Sequence, residues 1–503
     1  MKNFKFPHLV YNWISSAGAI IASVTFVIIL FLLLLDSFIG ITNLYLGILI
    51  YLILPPILIF GLLLIPLGMY RQWRLIKKTG EVPVQRYPMI DFNKKSHRNG
   101  ALIFIPGTAV FILMSAVGTY QAYHFSESVA FCGTTCHSVM EPEHTTYHNS
   151  PHARVSCTAC HVGAGAGWYT KSKLSGAYQV YAVTVNNYPR PLPTPIENLR
   201  PARETCEQCH WPEKFFGAQQ IKSDHYMYDE ANTHYPVNML FKTGGGDPKI
   251  RRVSGIHWHV SSGSKVEYIA RDDKRQDIPW VRLTDETTGE TVIYQDINEP
   301  LTAEEFAEAV PRVMDCMDCH NRPSHIFNSP DYAIDQAMFT GRISSVIPEI
   351  KRVAVEAMAE EYESKKQAFA DIADNVTEYY KSQHENYYSQ NSPLIDSAIS
   401  AITRTFSQNI FPGMKARWSA YPNNIGHFYN KGCMRCHEGS HQSEDGLTIT
   451  HDCNACHLIL AQGSEEADIA SISPEGFEFK HPVDIAEAWR EIGCYDCHTG
   501  TQP

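Results

Sequence analysis

The chain begins apolar and turns polar. No charged residue lies between Trp13 and Leu35, and after Asp36 none follows until Arg71. Ala101 to Tyr120 is again free of charge. A helix needs about 20 apolar residues to cross the hydrocarbon core of a bilayer. The pattern therefore predicts three membrane spans, near 14–35, 44–69 and 101–120. Pro55, Pro56 and Pro66 fall in the second span and predict a kink or irregular turn there. Tyr11, Trp13, Tyr70, Trp73, Tyr120 and Tyr123 stand at the span ends, where amphipathic rings meet the headgroups. A cleaved signal peptide would show a shorter apolar run and a small-residue cleavage site. Neither is present, so an uncleaved anchor is expected.

Beyond residue 120 the periodicity changes. Lys265–Ala270 and Thr291–Gln295 alternate between turn signals and predict a small β element. From Glu349 to about Gln390, apolar positions recur at helical spacing, with Val353, Ala354, Met358, Tyr362 and Phe369 on one stripe. One or two amphipathic helices are predicted, the stripe being ordinary packing.

Charge orients the spans. Residues 1–120 carry ten Lys/Arg against three acids, and eight of the ten lie in 70–99. The positive-inside rule places the N-terminus and the 70–99 loop in the cytoplasm and everything after the third span outside. Residues 121–503 carry a net charge of −18. Such a surface disfavours nucleic acid and anionic lipid, and steers towards a basic partner.

Cysteine usage changes the picture most. All 14 cysteines form close pairs, each followed at once by histidine, so none is left over for a disulfide. Six copies read C-x-x-C-H: Cys157/Cys160/His161, Cys206/Cys209/His210, Cys316/Cys319/His320, Cys433/Cys436/His437, Cys453/Cys456/His457 and Cys494/Cys497/His498. A seventh, Cys132/Cys136/His137, has three residues between its cysteines. Two thiols at this separation form thioethers to the two vinyl groups of one porphyrin, and the next residue gives the iron an imidazole nitrogen. Zinc is the rival reading, but zinc requires no histidine directly after every pair, and an odd number of pairs suits zinc ribbons poorly. Seven c-type haems are expected. That cofactor is attached outside the cytoplasmic membrane, where the charge pattern independently puts this region. Porphyrins would then fill much of the core.

Electron-transfer haems take a second strong axial ligand. Beyond the seven motif histidines and the cytoplasmic His8 and His97, 14 histidines remain, about twice the need. His152, His325, His427, His441 and His481 lie near motifs, and His257 and His259 flank Trp258 on an expected strand, both rings on one face. These seven are the candidate distal ligands. Met140, three residues after His137, is a candidate ligand to the first haem, with plain packing as its alternative. His384 and His451 are weaker choices.

The run Cys132-Gly133-Thr134-Thr135-Cys136-His137-Ser138-Val139-Met140, followed by Ser150-Pro151-His152 and Cys157-Thr158-Ala159-Cys160-His161, resembles the NapC/NirT family of membrane-anchored multihaem cytochromes. The likeness covers roughly residues 100–215. The full layout of seven motifs and three spans resembles the seven-haem inner-membrane quinol dehydrogenases of metal-reducing bacteria. Three features depart from the common family pattern: three helices rather than one, the three-residue cysteine spacer, and a methionine three places after the histidine rather than two. The resemblance implies a menaquinol dehydrogenase of the bacterial inner membrane, with its haem domain in the periplasm. Its electrons would pass to basic periplasmic cytochromes in anaerobic or extracellular metal-oxide respiration. It also implies a lysine near the quinol, for which Lys171 and Lys173 are the matching positions; Gln179 stands where the family's acid is expected. Glu141, Glu143 and His144 are the near candidates for proton handling, surface charge being the alternative for each.

The expected architecture is a three-helix transmembrane anchor plus a periplasmic multihaem cytochrome c domain, mainly α and irregular with a small β element. By region it runs as anchor (1–120), NapC/NirT-like domain with haems 1–3 (121–215), β-containing insert (216–310), haem 4 with amphipathic helices (311–430), and haems 5–7 (431–503). Two other functions compete. A terminal reductase of a small oxidant such as nitrite would need one iron with an open position, and a passive relay subunit would never touch quinone.

Overall fold

The computed structural model describes residues 8–39, 53–80, 91–135, 137–163, 165–196, 200–211, 215, 217–244, 255–261, 263–463 and 476–501. The predicted start of the second span (44–52) and Cys136 lie outside these residues, as does the side chain of His137. The chain forms two compact units, residues 1–126 with 162–178, and residues 127–161 with 179–503.

In the first unit three helices are long and apolar enough to cross a membrane: α1 (Trp13–Ile39), α2 (Leu54–Thr79) and α3 (Lys95–Ser126). The spans exist where the charge-free runs predicted them, but α2 and α3 end elsewhere. Helix α2 carries Arg71, Arg74, Lys77 and Lys78 within its helical turns and stops at Gly80, whose φ of 72° lets its N–H reach the Ile76 carbonyl. Long basic side chains can bury their stems and keep their charge in the headgroups, so a charge need not end a membrane helix. Pro55 and Pro56 occupy the first turn, where a missing N–H costs nothing. Only Pro66 is interior, and the helix continues through it.

Small residues bring α1 and α2 together. A Cβ added to Gly18 would lie 2.6 Å from the Gly61 carbonyl, and one on Gly61 would lie 2.8 Å from Ala22 N. Such close backbone approach is the usual glue between helices in lipid. Ser15 Oγ donates to the Ile65 carbonyl at 2.9 Å, satisfying a polar group that lipid could not. Ile103, Phe104 and Phe111 on α3 are all more than 70% exposed. In water each would forgo about 1.5–3 kcal/mol of burial; lipid removes that cost.

The second unit is built on four helices, α4 (Pro330–Phe339), α5 (Ile350–Ala359), α6 (Lys365–Gln383) and α7 (Glu385–Asn409). Ile334, Met358, Ile372, Ile402 and Phe406 are fully buried between them. The predicted stripe holds for Val353, Ala354 and Met358 but not for Phe369, which is 38% exposed. The helix breaks after Ala359 and restarts at Ser364, whose side chain caps α6 by accepting from Gln367 N. The break resets the helical phase, and Ala368, Ile372, Val376 and Tyr380 form the new inner face at four-residue spacing. Fully buried Lys351 on α5 ties this core to α4 through Asp331 (2.7 Å) and Asp335.

Two antiparallel sheets complete the unit. One has strand order β1-β2-β8 and the other β6-β3-β4-β5-β7. The strands are β1 (Gln219–Tyr226), β2 (His234–Phe241), β3 (Ser264–Ile269), β4 (Trp280–Asp285), β5 (Thr291–Asp296), β6 (Arg312–Val313), β7 (His441–Gln442) and β8 (His457–Gln462). β3 and β5 fall on the two predicted segments. Strands β7 and β8 come from the C-terminal region, so both sheets join residues 216–310 to the last motifs. His457, a motif histidine, opens β8 opposite Phe241.

Glu349 starts α5 and accepts from Tyr379 Oη, His384 Nε2 and Arg352, which together hold its carboxyl down at about 2. A carboxylate depressed in the folded state stabilises fully above its unfolded value, and that contribution is lost as pH falls from about 4.5 to about 2. Glu349→Gln is therefore expected to lower the thermal midpoint at pH 7, with the gap to wild type closing as pH approaches 2. A gap unchanged across that range would refute the assignment.

Candidate metal centres

Each described C-x-x-C-H motif is a single tight turn, and in every one the histidine N–H donates to the first cysteine's carbonyl. The distances include 2.8 Å for His210, His320 and His498, and 3.1 Å for His437. Residues at i and i+3 share one side of such a turn, so the two thiols project together and the histidine follows beside them. Asp315 caps the turn at Cys316 by accepting from Met317 N at 2.8 Å, and Asp318 accepts in return from Asp315 N at 2.7 Å. Asp452 caps the turn at Cys453 in the same way. In the last motif Asp496, between Cys494 and Cys497, accepts from Gly493 N at 3.1 Å. Among the described residues no cysteine is bridged to another, and nowhere do three His, Cys, Asp or Glu side chains converge. A structural zinc site needs four ligands. The paired cysteines are not arranged as one.

What the motif histidines face is a second histidine. Six ring pairs stand at nearly one spacing: His161 with His325 at 6.3 Å between centroids, His210 with His152 at 6.1 Å, and His320 with His257 at 6.2 Å. The others are His437 with His259 at 5.8 Å, His457 with His427 at 6.1 Å, and His498 with His481 at 6.1 Å. Two metal–nitrogen bonds of about 2.0 Å, with each nitrogen about 1.1 Å from its ring centre, would separate the centres by about 6.2 Å. The gap fits one metal ion held by two imidazoles. Rotation about a metal–nitrogen bond leaves that spacing unchanged, so interplanar angles from 5° to 85° are all compatible with it.

Hydrogen bonding points the same way. A carbonyl can only accept, so a ring nitrogen bonded to one must carry the proton and leave the lone pair on the other. Nδ1 donates to a backbone carbonyl in His152 (Pro323, 3.1 Å), His257 (Thr243, 2.6 Å), His259 (Ile256, 2.8 Å) and His325 (Glu143, 3.0 Å). The motif residue His437 does the same to Thr450 at 2.6 Å. Nε2 is thereby left with the free lone pair, the outer-shell arrangement that metal-bound imidazoles use. Burial adds to this by holding His161, His259, His320, His427, His437, His457 and His498 below the usual imidazole range, and His325 at about 4. Each is a neutral base at physiological pH, as coordination requires.

Two expectations need correction. His257 and His259 lie on a 3-10 turn, Ile256–Val260, not on a strand. Residues two apart on such a turn point apart rather than to one face, so His257 meets His320 and His259 meets His437. His441 is fully buried on β7, and its Nε2 donates to the Ile278 carbonyl at 2.7 Å. With its proton there, Nε2 of His441 has no lone pair to offer a metal. His234 and His384 likewise spend Nε2 on Asp224 and Glu349.

Around the first motif, Met140, His144 and His148 recur every fourth residue on the helix His137–His148. The Nε2 atoms of His144 and His148 lie 3.0 Å apart. The His144 ring covers Gly133, where a Cβ would come within 2.0 Å of it. Only glycine fits there, directly after Cys132. Burial lowers the His144 pKa, with repulsion from His148 adding to it. Glu141 is ion-paired to Lys365 at 2.7 Å. Glu143 packs against Arg322 and His325, and burial raises its pKa despite the nearby guanidinium. In the other unit, Lys171 Nζ sits over Trp168 and Lys173 Nζ over Tyr169. The His144–His148 contact and the Glu143–Arg322 pair were not legible beforehand. Their only signal was nearness to Cys132–His137, and for Arg322 there was none.

Residues 94–191 match the N-terminal region of the NapC/NirT cytochrome c family. Over 493 residues, 97% of this chain and 95% of the relative, the sequence is 45% identical to the cytochrome c-type protein ImcH of Geobacter sulfurreducens. No solved structure matches the chain.

Removal of a facing histidine separates ligands from packing. His481→Ala is expected to turn one low-spin iron high-spin in the ferric optical and EPR spectra while leaving the haem count unchanged. His441→Ala is expected to leave every iron in its wild-type spin state and to lower stability by about 1–3 kcal/mol through the unpaired carbonyl it leaves. A new high-spin signal from His441→Ala, or none from His481→Ala, would reverse the assignments.

Proposed function

This chain belongs to the NapC/NirT family of membrane-anchored, electron-transferring c-type cytochromes, and we propose that it is an inner-membrane menaquinol dehydrogenase with seven covalently bound haems. The observation that carries the reading is the set of six opposed imidazole pairs, each beside two cysteines of one motif. The cysteines hold the porphyrin edge and the histidines the iron, which supplies one-electron chemistry when bound. The seventh group belongs to Cys132, Cys136 and His137.

Oxidation of a quinol releases two electrons and two protons, so its site needs a proton acceptor within hydrogen-bond reach. His144 suits that role: it is a neutral imidazole on the helix that begins with His137. Glu141 is already paired to Lys365, which makes it the weaker base. The family resemblance alone supports Lys171 and Lys173 as cationic positions for the quinone. The N-terminus and the 70–99 loop face the cytoplasm, and residues 121–503 face the periplasm.

The electron acceptor is a basic periplasmic cytochrome. Residues 431–503 alone carry 13 acids against four basic residues, half of the net −18 of the region outside the membrane. Opposite charge on the partner speeds encounter at low salt and is screened at high salt. Anaerobic or extracellular metal-oxide respiration is the setting that fits such a carrier. A terminal reductase is disfavoured, because it needs an iron with an open position and six sites already offer two imidazoles each.

Anaerobic mixing of the purified, membrane-reconstituted protein with menadiol is expected to reduce its haems, seen in the α-band, with no other subunit present. Absence of reduction would leave the passive relay instead. Onward reduction of a lysine-rich cytochrome should slow steadily with ionic strength; a rate insensitive to salt would remove the charge argument. His144→Ala is expected to slow the menadiol step while leaving dithionite reduction intact.

A further inference from the structure

Contacts between the motifs follow the order of the chain. The Cys157 thiol of the second motif is hydrogen-bonded to Cys132 of the first. Cys160 of the second interacts electrostatically with Cys206 and Cys209 of the third, and the turn Cys157–His161 packs on Ala202–Cys206. The Cys206 thiol is in turn hydrogen-bonded to Cys316 of the fourth motif, and Ala202–Cys206 packs on Cys316–Cys319.

From the fourth motif to the fifth the tie is a buried one. Arg435 lies between Cys433 and Cys436 and is 7% exposed. Its Nη2 donates at 2.7 Å to the carbonyl of Asp318, which lies between Cys316 and Cys319. The turn Ile256–Val260 reaches both motifs, since His257 faces His320 and His259 faces His437. Cys433 then interacts with Cys456 of the sixth motif, and His437 Nδ1 donates to Thr450, three residues before Cys453. Cys453 interacts with Cys494 of the seventh.

A motif thiol bonds the edge of its porphyrin, so neighbouring thiols bring two porphyrin edges together. Every one of these thiol interactions joins consecutive motifs. We infer that the seven motifs stand in single file in the order of the chain, the porphyrin edge of each nearest those of its sequence neighbours. The group of Cys494, Cys497 and His498 is then the last on the path that begins at Cys132, Cys136 and His137. This rests on the haem reading above and goes beyond it by fixing the path: electrons accepted at the first motif leave at the last. The crossing ligand His325, which reaches from beyond the fourth motif back to His161 of the second, is the place where a shortcut would form.

Cryo-electron microscopy of the full-length, haem-loaded protein in lipid nanodiscs tests the order directly. For every iron between the ends, the two nearest irons are expected to be those of the preceding and following motifs. An iron of the second motif nearer to that of the fourth than to that of the third would overturn the single file. Absence of porphyrin density at the motifs would instead sink the haem reading itself, so the two failures are distinguishable. A kinetic arm uses Cys316→Ala/Cys319→Ala, which removes the fourth group. Its fast reduction by menaquinol in the nanodisc is expected to lose half of its α-band amplitude, three of the six remaining haems, while dithionite still reduces all six. Full fast amplitude in the variant would mean a branched path. Should the variant fail to accumulate, the iron positions in the wild type decide alone.

Discussion

An imidazole can hold a metal only through a nitrogen that keeps its lone pair, and much of the outer fold is organised around that requirement. For four of the facing histidines a backbone carbonyl takes the Nδ1 proton, and Nε2 is left facing a motif histidine about 6 Å away. Histidines placed elsewhere spend Nε2 on a protein acceptor, as His441 does on Ile278 and His234 on Asp224. The two groups have the same chemistry. What separates them is which nitrogen the backbone has occupied.

This requirement explains why the chain folds back on itself so often. A motif brings two thiols and one imidazole together locally, but the imidazole that faces it comes from a distant segment. His325 faces His161 of the second motif from beyond the fourth, and His152 faces His210 of the third from before the second. Carbonyl acceptors such as Pro323 and Thr243 must be placed with equal care. The sheets help to place them: β2 runs into the Thr243 loop, and β8 begins at His457. The helices α4 to α7 form an apolar core of their own around Ile334, Met358 and Phe406. That core keeps the unit from resting on cofactor packing alone.

The sequence made local chemistry legible and left distant geometry hidden. The spans could be read because charge is so costly in lipid that its absence marks them. Their ends could not, since Arg71 to Lys78 continue α2 as snorkelling cations. The thiol pairs and motif histidines were plain from spacing. The facing histidines could be narrowed only by nearness to a motif, which suggested His427 and His481 but equally suggested His441. Nothing in the residues around His441 tells that Ile278 will claim its Nε2. His257 and His259 flank Trp258 as alternate positions of a strand would, and so short a run does not tell a strand from a single 3-10 turn, on which residues two apart point apart. Phe369 was misplaced for a related reason: a break at Ser364 resets the helical phase and cannot be seen in the apolar spacing.

Intact-mass spectrometry of the native polypeptide, under denaturing but non-reducing conditions, tests the central claim most directly, because only thioether-linked porphyrin survives unfolding. The account predicts one population carrying seven haem adducts and no free cysteine available to alkylation. A polypeptide without porphyrin, or with zinc released on unfolding and all 14 thiols free, would contradict it.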